Sequence, residues 1–314
     1  MSLERALELA ERGRRHVEHT HPLVGAVLVH GPDVVGEGWY AGRGSPHAEV
    51  MALNEAGERA RGATLYVTLE PCSHHGATPP CADAIVEAGV AQVLAGAIDP
   101  NPKVNGQGLE RLREGGVQVE VEDLWEARHQ NEAWRVWIGK GRPFVTYKVA
   151  MTLDGRVTVP GSRWVSGEAS RRRVHELRAT SDAVAVGMGT VRADDPSLTA
   201  RDVGATQQPR RIAFGGGPLP PGSELELRSG PLEEELAALA DEGVQTLLLE
   251  GGPTLAGAFV GADLVDKLMV FVAPTLAGEG GGPLAVLPEP QSLTRLAAEP
   301  SGEDVLLTAY VHEP

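Results

Sequence analysis

The chain has 314 residues, 42% hydrophobic and 23% charged, long enough for two domains with a core each and ordinary enough to exclude disorder. No apolar run approaches the roughly 20 residues that span a bilayer, and the charged N-terminus is no secretory signal. A net charge of −15, from 28 basic against 43 acidic residues, argues against broad nucleic-acid binding.

In chain order, Leu3, Ala6, Leu7, Leu9 and Ala10 recur at helical spacing. "VGAVLVH" and "DVVGEGW" read as a strand hairpin turning at Gly31–Pro32. "HAEVMALNEAGERA" reads as a helix, "ATLYVTL" as a strand, "CADAIVEAG" as a helix and "VAQVLAGAI" as a strand; "GLERLREGGVQVEV" repeats the step. One helix is expected over "LWEARHQNEAWRVWI", then a linker at "GKGRP". Beyond it come strands at "FVTYKVAMTL", "DAVAVG", "RRIAF", "QTLLLE" and "KLMVFVAP". Alternating helices and strands imply α/β sandwiches with largely parallel sheets, divided into domains at 1–141 and 142–314. Without a secretory signal the expected location is the cytoplasm, and the acidic surface and two small α/β domains are compatible with a homo-oligomer, a dimer or tetramer assembled through the second domain.

The only two cysteines, Cys72 and Cys81, share the fragment "LEPCSHHGATPPC", shortly after "PHAEV". Without an export signal, metal binding is the better reading than a disulfide. His47, Cys72 and Cys81 supply three ligands for Zn2+ and leave the fourth position for water. Cys81 opens a helical pattern, where the peptide dipoles favour a thiolate. Glu49 points into the same cavity from a first helical turn and would carry the proton of a zinc-acidified water to a leaving amine. A purely structural zinc would want a fourth ligand, which His74 or His75 could offer.

No G-x-G-x-x-G follows a strand in the second half. Instead "TLLLEGGPTLAGAF" runs from a strand through Gly251-Gly252-Pro253 into a helix, and "AVAVGMGTVRADDP" repeats the device at Gly187, Gly189 and Thr190. Lys148 and Asp154 flank the "AMTL" turn and could assist proton transfer.

"LYVTLEPCSHHGATPPCADAI" and "DPNPKVNGQGLERLREGGVQVEV" closely resemble the deaminase half of the bifunctional deaminase/reductases of riboflavin biosynthesis. "KVAMTLDGRVT", "GSRWVSGEASRRRVHELRATSDAV" and "DDPSLTAR" resemble the reductase half of the same family. The resemblance covers both domains in order. It implies a cytidine-deaminase-like α/β/α sandwich and a dihydrofolate-reductase-like α/β domain. It also implies zinc-hydroxide deamination of a diaminopyrimidinone ribosyl phosphate, then reduction of the ribosyl to the ribityl side chain with NADPH. Implied cofactor positions are Met151, Trp164, Thr190, Asp194, Gly252, Pro253, Thr254, Leu255, Ala256, Gly257 and Ala258. Implied substrate positions are Ser162, Arg178, Leu198, Arg201 and Glu250, with His21 in the first domain. Two arginines, Arg178 and Arg201, suit a substrate phosphate, and Lys148 is the catalytic candidate.

Departures cluster around the first site. The family usually has asparagine where this chain has His21, histidine and lysine where it has Tyr40 and Gly42, and a basic residue where it has Ala77. Compensated drift, a changed substrate or a weakened deaminase would each account for them. Between Pro221 and Pro231 the second domain looks short, lacking the family's extra strand and helix. Rivals are a deaminase of free nucleosides or tRNA, and a non-enzymatic zinc and nucleotide-binding scaffold.

Overall fold

In a computed structural model, residues 2–14, 21–74, 79–279, 282–287 and 289–314 are described. Two units separate by their contacts: Met1–Lys140 with Pro314, and Gly141–Glu313.

Unit 1 runs α1 (Ser2–Gly13), β1 (Gly25–His30), β2 (Asp33–Trp39), α2 (Ala48–Ala56), a 3-10 turn (Gly57–Ala60) and β3 (Thr64–Val67). It continues with α3 (Cys81–Glu87), β4 (Gln92–Ala95), α4 (Gln107–Glu114), β5 (Gln118–Val121), α5 (Trp125–Gln130) and α6 (Glu132–Lys140). The sheet order is β2-β1-β3-β4-β5. β1 is antiparallel to both neighbours and only β3, β4 and β5 are parallel, so this sheet is mixed rather than largely parallel. Alternate residues of β1 serve opposite faces. Ala26 and Leu28 join the core that α2, α3 and α4 cover, with Ile85, Leu109 and Leu112, while Val27 meets Ala6 and Leu9 of α1.

Small residues set α2 directly on β2. Ala48, Ala52 and Ala56 are buried at helical spacing. A β-carbon on Gly38 would lie 2.1 Å from the Ala48 carbonyl oxygen, and one on Gly36 2.1 Å from that of Ala52. This close approach fixes where the N-terminus of α2 opens, and with it the position of His47.

Two helices are shorter than the periodicity suggests. The one expected over 47–60 ends at Ala56, where Gly57 takes φ +57°. The one expected over 124–138 breaks at Asn131, which is 5% exposed. Its Oδ1 accepts from Leu23 N (2.8 Å) and its Nδ2 donates to Leu23 O (2.9 Å), tying the break to the residue run leading into β1. Asn131→Ala strands both backbone groups in a buried setting and lowers the stability of unit 1 by about 1–3 kcal/mol, measured by denaturant unfolding.

Unit 2 runs β6 (Phe144–Thr152), α7 (Glu168–Thr180), β7 (Ala183–Gly187), α8 (Met188–Asp194), β8 (Arg210–Phe214) and β9 (Glu226–Arg228). Then come α9 (Leu232–Asp241), β10 (Thr246–Leu249), α10 (Pro253–Gly261), β11 (Lys267–Ala273), β12 (Thr294–Ser301) and β13 (Asp304–Tyr310). The order is β12-β13-β11-β6-β10-β7-β8-β9, parallel from β11 to β9 and antiparallel through β13 and β12. Tyr147, Leu247, Leu249 and Phe214 pack with Leu236, Leu239 and Phe259 of α9 and α10 on one face. On the other, Val174 of α7 meets Met269, Phe271 and Leu306.

The stretch between Pro221 and Pro231 does hold a strand, contrary to expectation: β9, three residues long, pairs in parallel with β8. The expected linker is also narrower. α6 reaches Lys140 and Gly141 takes φ +64°, but Arg142 is buried in unit 2, its fork closed on the fully buried Asp266 at 2.7 and 2.8 Å. Among the described residues no helix is long and apolar enough to cross a membrane.

Candidate active sites

In unit 1 the start of α2 and the start of α3 converge. His47 occupies the N-cap of α2 in extended backbone (φ −66°, ψ 158°), so its ring leaves the helix end. Cys81 is the first residue of α3, and its N–H donates to Cys72 Sγ (3.3 Å) while Ala82 N–H donates to the Cys72 carbonyl (3.1 Å). His47 Nδ1 lies 3.1 Å from Cys81 Sγ and 3.6 Å from Cys72 Sγ. The three donor atoms fall within 4.8 Å of one another, the one such cluster among the described residues. One imidazole and two sulfurs at this spacing fit a tetrahedral zinc with one position left over. His74 is exposed and outside the cluster, and His75 and Ala77 lie outside the described residues.

The two sulfurs act on one another. Cys72 is held well below the ordinary thiol range by its hydrogen bond with Cys81, aided by His47, while the same contact and burial push Cys81 up. Glu49, in the first turn of α2, is 4% exposed, and burial raises its carboxyl to about 7, with His47 opposing.

Aromatic rings wall the site. Tyr40 meets His47 edge-on, centroids 5.8 Å apart, and His21 lies 5.7 Å from Tyr40. Gly42 takes φ +104°, and its carbonyl accepts from Ser45 N and Oγ. A residue with a side chain would strain the turn there.

Sequence reasoning passed over Glu70, which is 3% exposed. Its Oε1 accepts from Gly108 N (2.9 Å) and its Oε2 from Gly106 N (2.9 Å) and Asp99 N (3.3 Å), so the carboxylate caps α4 and pins the loop carrying Cys72. A β-carbon at Gly108 would meet the Pro71 carbonyl oxygen at 1.8 Å. Glu70→Ala leaves these amides unpaired. It lowers unit 1 stability by about 2 kcal/mol or more and speeds zinc loss to a chelator, read by metal release.

In unit 2 a cavity of about 740 Å³ opens beside the C-terminal ends of β7 and β10. Lys148, Trp164, Arg178, Thr190, Asp194, Leu198, Arg201, Glu250, Gly252 and Pro253 all line it. Met151 instead packs against the core, and Ser162 lies outside the lining, bonded to the Trp164 backbone (2.8 Å). The block Thr254 to Ala258 also stays outside it. Ala256 is fully buried in the core and Gly257 abuts the Val286 backbone, so α10 offers the cavity only its N-cap Gly252 and Pro253. The wall also includes Arg163, Ser166, Arg171, His175 and Asp195, which the motifs did not single out.

At one end Glu250, just past β10, accepts from Lys148 Nζ (2.9 Å) on β6 and from Arg178 Nε (2.6 Å) and Nη2 (2.9 Å) on α7. Burial opposes its charge, but Lys148 and Arg178 outweigh that and hold the carboxyl down at about 2. Arg178 therefore spends its fork on Glu250, and of the two arginines expected for a phosphate only Arg201 keeps its fork for a ligand. Asp154 is not among the residues that line the cavity with Lys148. It accepts from Thr152 Oγ1 and from Ala277 and Gly278 N–H (3.0 Å each), which hold it at about 2 as a loop clasp rather than a proton donor.

Leu198 and Asp195 on the rim take φ +52° and +39°, strained values for residues with side chains. The start of α10, with Gly252 at the N-cap, Pro253 next and no acidic residue in the first turn, faces the cavity and suits a nucleotide diphosphate.

The family model for the cytidine and deoxycytidylate deaminase zinc-binding region matches residues 1–97, and that for the RibD C-terminal domain matches 143–217 and 227–307. The riboflavin biosynthesis protein RibD of Aquifex aeolicus is 39% identical, with 96% of this chain and 95% of that protein covered. RibD of Escherichia coli is 38% identical over 95% and 93%. Among solved structures, Acinetobacter baumannii RibD in form 1 superposes with a TM-score of 0.80 at 35% identity, covering 98% of this chain and 97% of that one. A deaminase/reductase from Thermotoga maritima gives 0.75 at 33% over the same shares. With a zinc-type His-Cys-Cys cluster in one unit and a large polar-lined cavity in the other, the chain belongs to the RibD family, the bifunctional deaminase/reductases of riboflavin biosynthesis.

Proposed function

We propose that unit 1 deaminates 2,5-diamino-6-ribosylamino-4(3H)-pyrimidinone 5′-phosphate and that unit 2 then reduces the ribosyl group to ribityl with NADPH. The observation that carries the first half is the His47, Cys72 and Cys81 cluster beside the buried carboxyl of Glu49. His47, Cys72 and Cys81 would hold zinc, which supplies an acidified water when bound. Glu49 takes the proton of that water and delivers it to the amine as ammonia departs. His21 and Tyr40 shape the ring pocket, and their identities set how well the pyrimidine edge is read.

In unit 2 the first turn of α10 and Thr190 bind the cofactor, which supplies hydride to carbon 1′ when bound. Reduction of the ring-opened imine at that carbon would leave its nitrogen needing a proton, which Lys148 Nζ donates, with Glu250 and Arg178 fixing its position. Arg201 faces the substrate phosphate.

Purified protein given the diaminopyrimidine substrate and NADPH tests this, with ammonia and absorbance followed separately. The expected result is ammonia release preceding NADPH oxidation, in equal final amounts. NADPH oxidation without ammonia would restrict the function to reduction, and neither signal would overturn both halves.

A further inference from the structure

In a chain of net charge −15, a cation left without a counter-charge is informative. On α7, Arg172 pairs with Glu176, Arg173 with Glu299 and Arg178 with Glu250. Arg171, on the same helix but lining the cavity, pairs with no carboxylate among the described residues; its Nη1 donates to the Ser166 carbonyl (2.7 Å). Arg163, also on the cavity wall, is equally without a carboxylate partner among the described residues. Both guanidinium carbons rest on one ring, that of Trp164, at 4.9 Å for Arg163 and 5.3 Å for Arg171. That indole is 52% exposed, large for an apolar ring without a ligand.

The ring holds two like charges together, an arrangement that repels itself until an anion enters. Both forks line the same cavity, and planar guanidinium forks match the oxygens of a phosphomonoester dianion. The start of α10 suits the cofactor's diphosphate, which leaves a phosphomonoester for the clamp, and Arg201 on the same wall is open to share it.

We propose that Arg163 and Arg171, held against Trp164, form a second phosphate clamp at this cavity, taking a phosphomonoester carried by the substrate or by the cofactor's 2′ position. This rests on the reductase reading, and both ligands share the chemistry that the clamp recognises. The indole orders the two forks, and the forks select the phosphorylated ligand.

The test compares full-length wild type, Arg163→Gln and Arg163→Gln/Arg171→Gln. One arm titrates NADPH against NADH by calorimetry. The other measures KM and kcat for the deaminated substrate against its dephosphorylated counterpart. Arg163→Gln removes no hydrogen bond found among the described residues, so it keeps the test valid if the double variant folds poorly. In one arm, preference for the phosphate-bearing ligand drops about 10- to 100-fold in the double variant, with a smaller drop in the single and KM or Kd moving more than kcat. A drop in the first arm assigns the clamp to the cofactor, and one in the second to the substrate. If wild type binds NADPH but both preferences stay within about twofold in both variants, the clamp is overturned. Wild type that neither binds nor oxidises NADPH overturns the reductase reading itself.

Discussion

Glu49→Gln keeps its zinc and loses ammonia release by about a hundred- to ten-thousand-fold. Glutamine fills the same buried volume at the first turn of α2, where Glu49 is 4% exposed, so the metal ligands stay in place. What disappears is the carboxyl that stands beside the His-Cys-Cys cluster to shuttle a proton. NADPH oxidation with deaminated substrate is unaffected, because its residues belong to unit 2. Metal analysis and the two assays on one preparation check all three statements. A variant that holds zinc and still releases ammonia at the wild-type rate would leave only a structural or scaffold role for the cluster.

Glu250→Ala has the largest effect in unit 2. It leaves Lys148 and Arg178 as two nearly buried cations, 14% exposed each, without the carboxylate that both contact. Breaking a buried pair in this way costs about 3–5 kcal/mol. Reduction falls at least a hundredfold or so as Lys148 loses its position. The same contacts give unit 2 an acid dependence. Burial opposes the Glu250 charge, but Lys148 and Arg178 lower its carboxyl from 4.5 to about 2. A carboxyl lowered on folding stabilises the fold above its unfolded value, and that stabilisation, about 3 kcal/mol, is lost as pH falls from about 4.5 through 2. Glu250→Gln removes this slope. Trp164 is the one tryptophan of unit 2, so unfolding against pH is followed as the fluorescence difference from Trp164→Phe.

The residues legible in sequence were those whose chemistry or patterning is local. The 24–39 hairpin shows two strand-like runs about a Gly31–Pro32 turn, and two cysteines bracketing a loop after His-x-Glu suit a metal site. Glycine turns after β7 and β10 announced their helices. What stayed hidden depends on partners far along the chain. Glu70 looks like an ordinary acidic residue until the amides of Gly106 and Gly108 reach it from 36 and 38 residues away. Asn131 breaks its helix for Leu23, 108 residues earlier. Arg178 was expected on a phosphate, and its tie to Glu250, 72 residues on, shows in no local pattern. β12 gave no signal because its residues are exposed except for Ser301, so no face is apolar. Resemblance named Thr254 to Ala258 as a block, yet helix geometry turns Ala256 and Gly257 to the core.

The account of unit 1 turns on a single bound metal, and the zinc-to-chain ratio of natively purified protein tests it most directly. One zinc per chain, falling to none in Cys72→Ser/Cys81→Ser, is the predicted result. Natively purified protein that releases ammonia while containing no zinc would contradict it.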